Sequence, residues 1–121
     1  MEVESIWKII REETQKRAEA EPVLASFFHM SVLEHDSFLS AVASQLANDL
    51  SNSSIQPLMI RNVIRESLEA NPDMLSDISF DLTAVKDRDP ACKYYSTPLL
   101  FYKGFKALQS HKVSNWLWFH E

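Results

Sequence analysis

Asp36-Ser37-Phe38-Leu39-Ser40-Ala41-Val42-Ala43-Ser44-Gln45-Leu46-Ala47-Asn48-Asp49-Leu50 reads as one amphipathic helix with its own start signal. Asp36 and Ser37 supply the short polar side chains that cap a helix amino terminus. Phe38, Leu39, Val42, Leu46 and Leu50 then return at helical spacing, so they share a face that must be buried. One such helix cannot bury its own stripe, and the sequence on either side repeats the pattern.

Upstream, Ile6, Ile9 and Ile10, with Trp7 beside them, recur at helical spacing from Ser5 until Pro22, while Lys8, Arg11, Glu12, Glu13 and Lys16 take the other faces. Pro22 suits the first turn of a second helix, where its missing N–H costs nothing. Val23, Leu24, Phe27, Phe28, Met30 and Leu33 follow it, apolar on most sides, and predict a helix central to a bundle. Downstream, Ser51 to Ser54 break the pattern before Pro57, Leu58, Ile60, Val63, Ile64 and Leu68 mark a fourth helix. Asn71-Pro72 ends it, because proline biases the preceding residue away from helical geometry. Met74, Leu75, Ile78, Leu82 and Val85 give a fifth helix that runs to Asp87-Arg88-Asp89-Pro90, and residues 89 to 97 read as a loop. Ser96-Thr97-Pro98 is a start signal with a hydroxyl cap for a long last helix carrying Leu99, Leu100, Tyr102, Phe105, Leu108, Val113, Trp116 and Leu117. The expectation is an all-α fold, a compact bundle of about six helices, as one domain over residues 1–121 without internal repeat or linker.

Composition agrees. The chain of 121 residues has 45% hydrophobic and 24% charged residues, enough to bury a core. Its single glycine, Gly104, leaves little means of making tight hairpins, which argues against an all-β fold. A net charge of -5 with no basic run disfavours nucleic acid, whose binding depends on Lys and Arg neutralising phosphates. No segment approaches the roughly 20 apolar residues needed to span a bilayer, and Met1-Glu2-Val3-Glu4-Ser5 is unlike a targeting peptide. No membrane association is expected. The lone Cys92 permits no internal disulfide and fits a reducing, cytoplasmic location, where the Asn52-Ser53-Ser54 sequon has no use.

Chemistry-bearing motifs are few. His29, His35, His111 and His120 include no pair at the helical spacing that lets two imidazoles share a metal, so no metal site is expected. One glycine cannot make a phosphate-cradling loop, and no nucleophile elbow is present. The aromatic residues between Tyr94 and Phe119 read as core and interface, and Gly104 as a place for close packing or a bend. Only Asp87-Arg88-Asp89-Pro90 gathers charge at a loop, where a carboxylate could hold a ligand ammonium.

Glu21-Pro22-Val23-Leu24-Ala25-Ser26-Phe27-Phe28-His29, Leu46-Ala47-Asn48-Asp49-Leu50, Asp87-Arg88-Asp89-Pro90-Ala91-Cys92, Tyr95-Ser96-Thr97-Pro98-Leu99-Leu100 and Lys103-Gly104-Phe105-Lys106-Ala107-Leu108-Gln109 resemble successive blocks of the serine acetyltransferases, in family order and spacing. The resemblance spans nearly the whole chain. It implies an enzyme that moves an acetyl group from acetyl-coenzyme A to L-serine, giving O-acetylserine for cysteine synthesis. Members join a helical amino-terminal domain to a left-handed parallel β-helix and assemble as hexamers, dimers of trimers joined through the helical domains.

The family's general-base histidine and coenzyme A site belong to the β-helix, so the resemblance places no catalytic residue and no cofactor in this chain. Acetyl-coenzyme A is the co-substrate of the full-length enzyme, and this chain alone is expected to be inactive. Asp89 carries over as the acid that grips the serine ammonium, and that of the feedback inhibitor L-cysteine. Arg88 and Pro90 are expected to shape the same loop. Partnership with O-acetylserine sulfhydrylase belongs to a carboxy-terminal tail absent from this chain. The apolar run Trp116-Leu117-Trp118-Phe119 at the end reads as a truncation and as exposed surface where the β-helix would dock. The rival reading is a stand-alone helical oligomerisation or protein-binding module without catalytic role.

Overall fold

The computed structural model describes residues 2–50 and 56–120, with only the backbone for Pro57, Phe119 and His120. The expected break at Ser51 to Ser54 and its sequon lie outside the described residues. Among those residues all regular structure is helical.

Helix α1 (Val3–Ala20) buries Ile6, Trp7, Ile10, Thr14 and Ala18, a single face extended by one small residue per turn. It stops at Glu21, whose backbone leaves helical geometry ahead of Pro22. The next segment corrects the expectation of a central second helix. Pro22–Leu24 forms a 3-10 turn, α2 (Ala25–Phe28) contributes one α-helical turn, and His29–Leu33 widens into a π turn. Each change of winding rotates the following side chains, so the apolar residues cannot all face one neighbour. Phe28, Ser31 and Val32 are buried against the bundle, whereas Val23 is 95% exposed and Met30 67%. Arg11 of α1 closes the segment: its Nη1 donates to the carbonyls of Leu33 (3.2 Å) and His35 (2.7 Å). The His35 ring bridges Ser40 Oγ (2.8 Å) and the Met30 carbonyl (3.1 Å), and burial holds its pKa below the ordinary value.

The central place falls to α3 (Phe38–Leu50). Ser37 Oγ accepts the Ser40 N–H at 3.1 Å, the cap expected from the sequence. Phe38, Ala41, Val42, Ala43, Gln45, Leu46 and Ala47 are all buried. Its alanines let other backbones approach, and α3 touches α1, α4 (Pro57–Ala70), α6 (Ser96–Phe101) and α7 (Lys103–His120). Helix α4 turns at Asn71 directly into α5 (Pro72–Arg88), as Asn71-Pro72 predicts. Ile64 and Leu68 from α4, Met74, Ile78 and Leu82 from α5, Leu99 and Leu100 from α6, and Phe105 and Val113 from α7 complete one core with the α1 stripe.

The long last helix predicted from Ser96 onward is two helices. The break is at Tyr102, whose backbone is extended (φ -94°, ψ 100°). Lys106 secures the kink: its Nζ donates to the Leu100 carbonyl at 3.2 Å and pairs with Asp49 at 3.3 Å. A buried ammonium is tolerable only with such partners. The bend therefore falls two residues before Gly104, and a Cβ at Gly104 would meet nothing within 4 Å, so no close packing depends on this glycine. Trp118 is 82% exposed, while Trp116 and Leu117 are partly buried. Among the described residues, no helix is long and apolar enough to cross a membrane.

Candidate functional site

Asp89 sits where α5 ends. Its N–H still bonds the Val85 carbonyl (3.1 Å), but its backbone has become extended (φ -97°, ψ 107°), as a residue before proline prefers. The carboxylate then organises the turn that follows: Oδ1 accepts the Ala91 N–H at 2.9 Å, and the Asp89 carbonyl accepts the Cys92 N–H at 3.0 Å. This local pairing is the habit of an aspartate at a turn. Buried Cys92 anchors the turn, its thiol donating to the Tyr94 carbonyl at 3.4 Å.

Two longer-range contacts hold this corner, and neither is visible in the local sequence. The first comes from α1. Glu13 Oε1 accepts the Ser96 N–H at 2.7 Å and Oε2 accepts the Tyr95 N–H at 3.2 Å, so a carboxylate 83 residues away in sequence caps α6. The expected Ser96 hydroxyl cap is thereby corrected: Ser96 lies inside the first turn, and its Oγ is buried without a protein partner. The second contact is Tyr102, whose hydroxyl donates to Asp89 Oδ2 at 3.0 Å. That bond, with burial and the nearby Cys92 thiol, pushes the Tyr102 pKa up to about 12, so the phenol stays a neutral donor at physiological pH.

Asp89 and Tyr102 face an open cleft of about 720 Å³ between α5 and α7, with Ala84, Val85, Pro90, Phe105 and Leu108 giving it apolar walls. Asp81, Arg88, Asp89 and Tyr102 supply its polar groups, and Gly104 leaves one wall without a side chain. The two carboxylates differ. Asp81 Oδ2 already accepts from Gln109 Nε2 (3.1 Å) and from Lys112 Nζ. Asp89 is held by two neutral donors, and among the described residues no cationic side chain pairs with it. A carboxylate held by two donors has acceptor positions left for a further donor. Arg88 and Pro90 line the same cleft and are both exposed. Among the described residues, no group of three or more His, Cys, Asp or Glu side chains could hold a metal ion.

A family profile described as "Serine acetyltransferase, N-terminal" matches residues 6–110. The chain belongs to the serine acetyltransferase amino-terminal family. The serine acetyltransferase of Salmonella typhimurium is 44% identical over 117 residues, covering 97% of this chain and 43% of that protein. Among solved structures, a serine acetyltransferase in complex with CoA superposes with a TM-score of 0.94 at 40% identity, over 98% of this chain and 50% of that one. The Neisseria gonorrhoeae serine acetyltransferase in complex with serine gives 0.90 at 38%, over 95% and 48%. This chain thus spans about half the length of the relatives it matches, and the half it spans is helical.

Proposed function

We propose that the full-length protein carrying this domain is a serine O-acetyltransferase, forming O-acetyl-L-serine and coenzyme A from L-serine and acetyl-coenzyme A. The observation that carries the reading is the Asp89 carboxylate, fixed by Ala91 and Tyr102, open to a cleft and without a cationic partner among the described residues. An α-amino acid brings the missing cation. Asp89 grips its ammonium by a charge-assisted bond, and L-cysteine, with the same ammonium, competes for the same grip. The ammonium does not react, but holding it fixes the rest of the substrate, so binding energy at Asp89 orients the hydroxyl that attacks the acetyl carbonyl. Arg88 and Pro90 shape the rim of this site.

The general base and the coenzyme A site lie outside residues 1–121, and this domain binds no cofactor of its own. Its second role is assembly into a hexamer, a dimer of trimers. The apolar Val23, Leu24, Phe27 and Met30, exposed on one segment, support that role. Partnership with O-acetylserine sulfhydrylase, through a carboxy-terminal tail, and a cytoplasmic location complete the proposal.

The test is an acetyl-transfer assay with L-serine and acetyl-coenzyme A, following release of the coenzyme A thiol. Full-length protein is expected to turn over and residues 1–121 are not. In the full-length protein, Asp89→Asn is expected to raise KM for serine by roughly 10- to 100-fold, the worth of a hydrogen bond to a charged group, with assembly preserved. Unchanged serine kinetics in that variant would favour a domain that serves assembly alone.

A further inference from the structure

The Asp89 carboxylate is held by two donors of different origin. Ala91 N–H belongs to the same turn and moves with it. The Tyr102 hydroxyl comes from the α6–α7 kink, 13 residues on, which is secured independently by the Lys106 side chain on the Leu100 carbonyl and by the Lys106 N–H on the Tyr102 carbonyl (3.1 Å). Tyr102 is thus the contact that ties the direction of the carboxylate to the body of the bundle.

We propose that Tyr102 is a positioning residue: its hydroxyl holds Asp89 Oδ2 in the orientation that receives the substrate ammonium, so that affinity for serine depends on it more than turnover does. The proposal rests on the reading of Asp89 as the ammonium grip. A carboxylate has about four acceptor positions. Tyr102 and Ala91 take one each, which leaves room for an ammonium without displacing either. Because the phenol remains protonated well above neutral pH, it donates at every pH at which such an enzyme would work. The opposite role, a donor that competes with substrate for the same oxygen, predicts the opposite sign.

Tyr102→Phe in the full-length protein removes the hydroxyl and keeps the ring that packs on the core. KM for L-serine is expected to rise about 5- to 10-fold, less than for loss of the Asp89 charge because the bond is neutral-to-charged and partly exposed. kcat should stay within about twofold and KM for acetyl-coenzyme A should not move. On an Asp89→Asn background the same substitution should add little, since its effect passes through that carboxylate. A serine KM that is unchanged or lower in Tyr102→Phe, beside a raised KM in Asp89→Asn, overturns the role of Tyr102 and leaves the reading of Asp89 standing. If Asp89→Asn itself leaves KM unmoved, the ammonium grip fails and the role of Tyr102 falls with it.

Discussion

Between Pro22 and Leu33 the chain is rich in valine, leucine, phenylalanine and methionine, yet Val23, Leu24, Phe27 and Met30 face outward. From Asp89 into α7 the chain carries many charged and polar residues, yet Ser96, Lys106 and Gln109 are buried, and Glu13 of α1 is drawn halfway in. The contrast separates two quantities that composition conflates. A side chain is buried when a neighbouring element lies within its reach, and along the 3-10, α and π turns of the first region Phe28 and Val32 reach the core while Val23, Leu24, Phe27 and Met30 do not. A charged group enters the interior when its hydrogen-bonding capacity is met there. Glu13 meets two backbone N–H groups, and Lys106 meets a carbonyl and a carboxylate. Apolar surface left outside is surface available to a partner; polar groups brought inside make a site with fixed geometry.

The comparison can be broken at three points. The largest effect is expected from Phe28→Ala, which removes the largest fully buried side chain of the first region, with the Arg17 guanidinium 4.8 Å from its ring centre. Urea unfolding should show a loss of about 3–5 kcal/mol. A loss below ~1 kcal/mol would mean that the region is not packed on the bundle at all. Next comes Glu13→Ala, which strands the Tyr95 and Ser96 N–H groups and should cost about 1–3 kcal/mol. Glu12→Ala, one residue earlier and exposed, is the control. Equal unfolding midpoints for the two variants would remove Glu13 from its place as the cap of α6. The smallest effect belongs to Val23→Ser, expected to stay within about 0.5 kcal/mol in a monomer. A larger loss that grows with protein concentration would instead locate an assembly contact on this segment.

The helices themselves were legible in the residues. Of the expected stripes, Ile6, Ile10, Phe38, Val42, Leu46, Ile64, Leu68, Met74, Ile78 and Leu82 are buried, because a periodicity of 3.6 is a property of the local chain, whereas Leu50, Leu58 and Val63 of the same stripes are exposed. Ser37 as a cap, Asn71-Pro72 as a turn and the end of α5 before Asp89-Pro90 were legible for the same reason: each depends on backbone groups a few residues away. Three features were not. The centrality of the segment after Pro22 was misjudged because apolar content does not say which way a rewound helix turns its side chains. The division of the last helix at Tyr102 was missed because the groups that secure it, Lys106 and Asp49, meet only after the bundle has closed. Glu13 read as an ordinary charged position on α1, since nothing within several residues of it points to Ser96.

By itself, then, the sequence determined the class of fold, the family and the position of Asp89 at a helix end, all of which follow from local spacing or from contiguous blocks of residues. The tertiary structure alone decided that Asp89 is held from Tyr102, that its turn is framed by Glu13, and that it opens on a cleft while pairing with no cationic side chain among the described residues. Those are relations between groups 13 to 83 residues apart, and chain closure brings them within bonding distance. Their strength depends on the direction and burial that packing imposes, which no short-range pattern encodes.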